Sequence, residues 1–304
     1  MKKVTLLILT AFLSFPALSQ SDTTSKFDFE HHGVYTLNGM YSRFNNWQAG
    51  GNDNINATVQ LREQVRFAGP KRTSRHNLQL DYGINRQGEL ERKTIDKLQY
   101  TVNVSKGGKD DTKLFRLSGQ LQLNTQITDG FAAEDSMQLE RISDFAAPLY
   151  AQLSFGLTSN RFRAFNLFFS PIGTKTTFVL DSAIRAVNNY GLVSADVGAL
   201  VEGGANATLS YNKTFGKSLR VISRTDVFFN YEDFLAPEVD VRGEFMAIYR
   251  IDKWFSANIN AQYIFDKDAT EEAVAAAAAL PEPIDLSHWQ TKAMFGFGLT
   301  FTIH

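Results

Sequence analysis

The segment Leu117–Ile127 reads LSGQLQLNTQI, and apolar and polar residues alternate along it. Its odd positions carry leucine, glycine, threonine and isoleucine, and its even positions carry serine, glutamine and asparagine. Because successive side chains of a strand point to opposite faces, this pattern predicts a β-strand with one apolar and one polar face. Strands of soluble proteins usually have about five or six residues. This alternation is longer and is closer to the roughly nine to eleven residues that cross a bilayer at a tilt.

The same alternation recurs along most of the chain. It occurs near 33–44, 54–67, 78–85, 98–105, 149–158, 203–215, 218–231, 239–251, 255–265 and 292–304. Aromatic residues, which favour the membrane–water interface, stand near many segment ends: Phe67, Phe155, Phe215, Tyr231, Tyr249, Trp254, Phe265 and Trp289. The sequence therefore predicts an all-β fold, a transmembrane antiparallel β-barrel with apolar residues facing lipid.

The strand count depends on residues 162–182. The apolar face falls on odd numbers at Phe165, Leu167 and Phe169, and on even numbers at Thr176, Phe178 and Leu180. A slip of one residue around SPIG, 170–173, is typical of a β-bulge, where proline is tolerated. We therefore interpret 162–182 as one bulged strand and predict about twelve strands, within a range of 10–14.

The connections fit an even count, for which both termini lie in the periplasm. Five short connections fall near 68–74, 107–112, 159–161, 216–217 and 252–253. Six face outward, near 45–53, 87–93, 129–148, 184–202, 232–238 and 267–287. In the last of these, TEEAVAAAAALPEP predicts a short helix over 271–280, either packed or solvated as part of the loop, or acting as a plug or a docking surface.

The chain begins like an exported protein. Residues 1–19 combine lysines, an apolar run and a small-residue site, which predicts a signal peptide cleaved near Ser19. We expect a flexible segment over 20–32, a barrel over 33–304, and localisation in the outer membrane of a Gram-negative bacterium, with outer-membrane lipid as a partner. The chain has no cysteine, and 31 basic against 32 acidic residues argue against a nucleic-acid partner.

Several motifs carry a family resemblance. The turn formed by Trp47, Gly50, Gly51 and Asn54 is followed by KTIDKLQY (93–100), ISDFAAPLY (142–150) and LFFSPIGTKTTFVLD (167–181). Together they resemble a Bacteroidota outer-membrane family known only as a domain of unknown function. The resemblance implies an outer-membrane β-barrel and no settled activity.

The polar face contains one dense group of charges, on strands 218–231 and 239–251. This predicted lumen patch consists of Arg220, Arg224, Asp226, Asp240, Arg242, Glu244 and Arg250, and Arg62 and Arg66 extend it from strand 54–67. It fits two interpretations. One is a salt-bridge network that neutralises interior charge, and the other is a constriction that selects solutes by charge.

Three functional classes follow from this fold. The first is a small-solute channel with a polar lumen. The second is a non-conducting scaffold or assembly partner of an envelope protein, through the outward loops 129–148, 184–202 and 267–287. The third, an outer-membrane lipid hydrolase, lacks a convincing serine–histidine set, because Ser74 and His76 are read as separate polar residues at a strand start. Asp28, Glu30, His31 and His32 are read as a solvated tail rather than a chelator. We therefore expect no catalytic residue, metal or cofactor.

Overall fold

The computed structural model describes residues 28–42, 54–87, 90–108, 112–131, 141–159, 164–187, 190–192, 194–232, 239–265 and 289–303. Its strands are β1 (Asp28–Ser42), β2 (Asn54–Ala68), β3 (Arg72–Gln87), β4 (Leu90–Lys106), β5 (Arg116–Thr125), β6 (Gly130–Phe131), β7 (Arg141–Ser143), β8 (Leu149–Ser159), β9 (Phe165–Phe178), β10 (Ala199–Phe215), β11 (Leu219–Asn230), β12 (Val239–Arg250), β13 (Phe255–Phe265) and β14 (Trp289–Ile303). One described helix, α1 (Ser182–Val187), lies between β9 and β10. Among the described residues, no helix has the length and apolar character needed to cross a membrane.

Twelve of these strands form a closed antiparallel barrel in the order β1-β14-β13-β12-β11-β10-β9-β8-β5-β4-β3-β2. The predicted fold class and strand number are therefore confirmed. The remaining two strands, β6 and β7, pair only with each other. The signal peptide and the predicted helix over 271–280 lie outside the described residues.

The two ends of the barrel differ, and we name them by their connections. Of the described connecting residues, the short-turn end carries 69–71, 107–108, 112–115, 164, 216–218 and 251–254, and the long-loop end carries the others. One predicted outward loop is shorter than expected, because β3 and β4 continue to Gln87 and from Leu90. In the predicted loop 184–202, β10 already begins at Ala199.

Side chains sort between the two faces as the alternation predicts. Along β14 the odd-numbered residues are exposed and the even-numbered ones are partly covered from residue 291 to the end of the strand. The exposed outer face includes Phe295, Phe297 and Phe301. Most of the buried polar residues face inward, among them Gln60, Asp81, Gln120 and Asn258. The apolar surface is therefore on the outside, as in a membrane barrel.

The bulge predicted in residues 170–173 is present in β9. Ser170 and Gly173 face Asn206 and Gly204 of β10, so three steps on β9 span two on β10. The other edge of β9 shows the same excess, since Phe169 and Ile172 face Leu157 and Phe155 of β8. The extra residue reverses the phase of the alternation, and β9 remains a single strand.

The barrel begins at Asp28, five residues before the predicted start at 33. Asp28 faces Ala68 in the ladder with β2, and Phe29 faces Phe67, with ring centroids 5.3 Å apart. The inward positions of this segment are charged, which obscured the apolar–polar alternation in the sequence. In the structure, Glu30 accepts a hydrogen bond from Arg66 at 2.6 Å. Part of the segment predicted as flexible, 28–32, is therefore strand. His31 and His32 point to opposite faces of that strand.

The barrel closes through an unevenly paired seam between β1 and β14. Six residue pairs join them, from Gly33 with Ile303 to Asn38 with Gly298. By contrast, β1 and β2 pair over fifteen residues, from Asp28 to Ser42. Within the described residues, the pairing of β1 with β14 thus ends at Asn38, on the way to the long-loop end.

A small folded unit covers part of the long-loop end. We call it the loop cap, and it comprises 126–131, 141–148, 179–187, 190–192 and 194–198. Its apolar core consists of Ala147, Val179, Ile184 and Leu192, with Tyr190 and Leu200 packed against it.

Polar contacts hold the loop cap together. The Arg185 guanidinium donates to the carbonyls of Val179 at 2.6 Å and Ala195 at 2.6 Å. Asp181 accepts the amide of Ala183 at 2.8 Å, and this bond lowers the pKa of Asp181. A hydrogen bond between the Asp129 and Asp144 carboxyl groups raises the pKa of Asp129.

Candidate functional site

Five residues of the predicted lumen patch come together on the inner wall. The β11–β12 ladder sets Arg224 opposite Glu244 and Asp226 opposite Arg242. Asp240 lies one inward position further along β12, and all five line the same cavity. These five charges share one inner surface because both strands alternate with a period of two.

The two remaining arginines of the patch lie elsewhere. Arg220 faces Ile248 in the ladder, near the short-turn end. Arg250 is the last residue of β12, at that same end. An inward apolar cluster of Val34, Met246 and Ile248, with Ile222 packed against it, separates both arginines from the cavity. The predicted patch is therefore two groups, because an inward strand face is long enough to cross several levels of the lumen.

Glu244 is the centre of a network that crosses the lumen. Its carboxylate accepts a hydrogen bond from Gln79 Nε2 at 2.5 Å and from Lys97 Nζ at 3.0 Å. Lys97 lies on β4, which is six places from β12 in either direction around the ring of twelve strands. The Lys97–Glu244 ion pair therefore joins diametrically opposite walls.

Arg62 extends this network as anticipated, whereas Arg66 does not. The Arg62 guanidinium donates to both carboxylate oxygens of Asp81, at 2.6 and 2.8 Å, and lies 3.8 Å from Glu244. The Asp81 side chain is fully buried. A bidentate pair of this kind is geometrically specific as well as strong. Arg66 instead binds Glu30 at the short-turn end.

Two further groups connect separate strands. Arg224 binds Asp226 through two nitrogens, at 2.7 and 2.8 Å, and donates to Gln122 of β5 at 2.6 Å. Lys175 of β9 binds Asp240 at 2.6 Å and Glu202 at 3.0 Å.

Sequence reasoning missed Lys97, Asp81, Lys175 and Glu202 as members of these groups. Asp81 and Lys97 stand at inward positions of the alternation. The only available signal was therefore strand parity, and parity does not tell which inward residues meet across a lumen.

Two connected chambers open above the Glu244 network. The vestibule, about 370 Å³, lies towards the long-loop end. It is lined by Lys93, Thr94, Ile95, Asp96, Lys97, Asn124, Thr125, Gln126, Pro148, Tyr150, Tyr190, Gln262 and Lys292. The inner chamber, about 170 Å³, contains Arg224, Arg242 and Glu244. The two chambers share Lys97, Asn124, Tyr150 and Gln262.

The lumen below the network is packed with side chains. On one side, Asn103 donates to Thr158 at 3.2 Å, and Ser118 and Thr158 share a hydrogen bond of 2.7 Å. On the other, Asn258 donates to Asn38 at 2.8 Å. With the apolar cluster around Met246, these contacts occupy part of the described lumen below the network. The vestibule therefore has its floor at the Glu244 network.

The outer face carries two polar groups among apolar residues of β1 to β4. Ser74 Oγ lies 3.3 Å from His76 Nε2, and the other ring nitrogen of His76 is 2.7 Å from the Tyr100 hydroxyl. Nearby, Glu63 bonds to His31 at 2.5 Å and to Tyr35. Ser74 and His76 are thus in contact, although the sequence reading treated them as separate. Within the described chain, no cluster of three or more His, Cys, Asp or Glu residues has metal-binding geometry.

Of the marker turn, only Asn54 is described. It begins β2, where its side-chain oxygen accepts a hydrogen bond from Asn85 at 3.0 Å. Trp47, Gly50 and Gly51 lie outside the described residues.

A family model matches residues 40–131. Its description is "Protein of unknown function (DUF3078)". The match covers β2 to β5 and the marker turn, which is less than half of the chain. No curated protein matches the sequence.

Solved structures with similar architecture are outer-membrane barrels. The translocator domain of the autotransporter NalP from Neisseria meningitidis is 9% identical and has a TM-score of 0.33, with 99% of this chain and 97% of that chain covered. OmpT, an outer-membrane protein of Vibrio cholerae, is 7% identical and has a TM-score of 0.30, with 94% and 100% covered. A porin is 10% identical with a TM-score of 0.30, and 91% and 100% are covered. Similarity at this level assigns no function.

Proposed function

We propose that the protein is an integral outer-membrane barrel of a Gram-negative bacterium, exported by the signal peptide 1–19. The outward apolar face and the even number of antiparallel strands support this localisation. In this proposal both termini and the short-turn end face the periplasm, since short turns are periplasmic in bacterial barrels. The resemblance to a Bacteroidota family, carried by the marker turn together with the motifs at 93–100, 142–150 and 167–181, is part of the same proposal.

Within that membrane, the proposed role is binding at the long-loop end rather than open diffusion. The observation that carries this proposal is the contact between Lys97 and Glu244, at 3.0 Å, across the full width of the lumen. A wide pore leaves its opposite walls separated by water. Here the opposite walls touch, and the space above the contact is a vestibule with a floor.

The packing of the lower half supports a closed barrel independently. Met246 and Ile248 are each 5% exposed although they face inward. A conducting polar lumen offers water to inward side chains, whereas these apolar groups are covered by neighbours. The loop cap adds a structured surface beside the vestibule, which suits recognition of a ligand or of an envelope partner. No catalysis is included in the proposal.

Single-channel recording in planar bilayers tests the proposal. We expect no steady current from the purified, folded protein, with insertion checked by heat-modifiable migration on gels. A Lys217→Gln variant, changed in the exposed turn between β10 and β11, serves as a matched control and should be equally silent. A stable open-pore conductance in the unmodified protein would refute the closed-barrel proposal.

A small-solute channel is the second candidate, and one observation favours it. The vestibule continues into the inner chamber, where Arg224 and Arg242 are held beside Asp226 and Asp240. If this network is a selectivity element, recordings should show a current whose ion preference changes with Arg224→Ala or Arg242→Ala. If the barrel is a scaffold in an envelope complex, recordings stay silent and a stoichiometric partner co-purifies through the loops of the long-loop end.

A further inference from the structure

The vestibule contains more positive than negative charge in its lining. Among the described residues that line it, the basic ones are Lys93, Lys97 and Lys292, and the acidic one is Asp96. Lys97 also forms an ion pair with Glu244, which lines the inner chamber. Lys93 and Lys97 are each paired with a carboxylate, Asp96 and Glu244, so the excess positive charge comes from Lys292. An anion placed among the three ammonium groups is attracted by that excess.

The carboxylate of Asp96 is already fully used by its own neighbours. One oxygen accepts the amide of Ile127 at 2.7 Å. The other accepts Lys93 Nζ at 2.7 Å, together with the amide and hydroxyl of Thr128, each at 3.0 Å. Asp96 therefore fixes Lys93 to the loop cap and offers little to a bound cation.

Lys292 is the cation with the least compensation. It donates to the carbonyl of Thr94, and no carboxylate of the described residues lies within ion-pairing distance of it. Asp81 attracts it only from beyond that distance, and a partly buried ammonium group without a direct ion pair is unfavourable. Lys292 enters the vestibule from β14, whereas Lys93 and Lys97 enter from β4, so the charges approach a ligand from two sides.

We propose that the vestibule binds a small soluble oxyanion that carries two or more negative charges. This inference rests on the proposal that the long-loop end is the binding end of the barrel. The volume of about 370 Å³ lies at the lower end of the range for small-molecule sites, so it suits a metabolite-sized anion. Gln262, in the lining of both chambers, supplies amide donors for further oxygens of the ligand. The site lies inside the barrel, which separates it from lipid headgroups around the outer face.

Calorimetric titration of the full-length protein in neutral detergent tests this inference, with inorganic phosphate and citrate as probes. We expect saturable binding of at least one anion, and no heat of binding with glucose. Lys292→Gln should weaken binding about tenfold, because one charge-assisted contact is lost. Lys292→Arg should retain most of the affinity. Lys217→Gln, at the opposite end of the barrel, should bind like the unmodified protein.

A second measurement does not depend on any variant. Acetylation of lysines by a water-soluble reagent, read by mass spectrometry, should show that the bound anion protects Lys292 and leaves exposed Lys217 reactive. Absence of saturable binding, or equal affinity in Lys292→Gln, overturns the inference, as does unchanged acetylation of Lys292 under saturating citrate. Failure of the closed-barrel proposal would give a different observation, namely a steady current in bilayer recordings, whether or not anions bind.

Discussion

Replacing Glu244 with glutamine should destabilise the barrel substantially. The change keeps the shape of the side chain but removes the charge that faces Lys97 at 3.0 Å and Arg62 at 3.8 Å. Breaking a buried ion pair by removing one partner costs about 3–5 kcal/mol. Arg62 retains Asp81, and the Lys97 side chain is 21% exposed. We therefore expect the lower end of that range, about 3 kcal/mol of lost unfolding free energy.

The measurement is reversible urea unfolding of the protein in detergent micelles or lipid vesicles, followed by tryptophan fluorescence. Glu232→Gln, an exposed change shortly after β11, is the control and should shift the midpoint very little. Lys97→Gln combined with Glu244→Gln removes both charges, so the double variant should lose less than the sum of the single variants. A loss below about 1 kcal/mol for Glu244→Gln, the size typical of exposed pairs, would show that the contact does not join the walls in the folded protein.

Three further outcomes are expected from the same structure. Asp181→Ala removes the side-chain acceptor at the start of α1 and should cost about 1 kcal/mol, measured as faster amide exchange in that helix. In the unmodified protein, the same contribution should fall as the pH drops through the lowered pKa of Asp181, below its ordinary value of about 3.9. Gly156→Ala would place a Cβ 2.0 Å from the carbonyl oxygen of Phe169, and the strain should cost about 1–3 kcal/mol in urea unfolding. Gly203→Ala, where nothing lies within 4 Å, should be tolerated. Ser74→Ala should leave fatty-acid release from phospholipid vesicles at background, whereas a serine-dependent release would assign a hydrolase.

The fold was predictable because the alternation of a barrel strand is visible within one short segment of sequence. Alternation in Leu117–Ile127 needs no knowledge of distant residues, and the phase slip near Pro171 identified the bulge within a single strand. The start of β1 was missed because Asp28 and Glu30 are inward charges, which resemble a solvated tail in sequence. Their partners, such as Arg66, are close only after β1 pairs with β2.

The site was only partly predictable, for a related reason. Arg224 and Glu244 belong to neighbouring strands, so strand parity was sufficient to place them together. Lys97 and Glu244 are separated by 147 residues, and their contact depends on the diameter of the barrel and on the rotation of each strand around it. A sequence pattern contains neither quantity. The same limit explains why Arg220 and Arg250 were grouped with charges that lie at another level.

If the vestibule binds an anion as proposed, the unevenly paired seam between β1 and β14 would be coupled to that binding. In the described residues, the part of β14 that precedes Gly298 pairs with β13 alone, and Lys292 lies in that part. An anion that contacts Lys292 from β14 and Lys97 from β4 would act as a cross-link over the seam. Anion binding and strand pairing at the seam would then be thermodynamically linked. Stronger pairing would raise the affinity for the anion, and the bound anion would stabilise the seam against denaturation. In this proposal, β14 both forms part of the barrel wall and contributes Lys292 to the anion site.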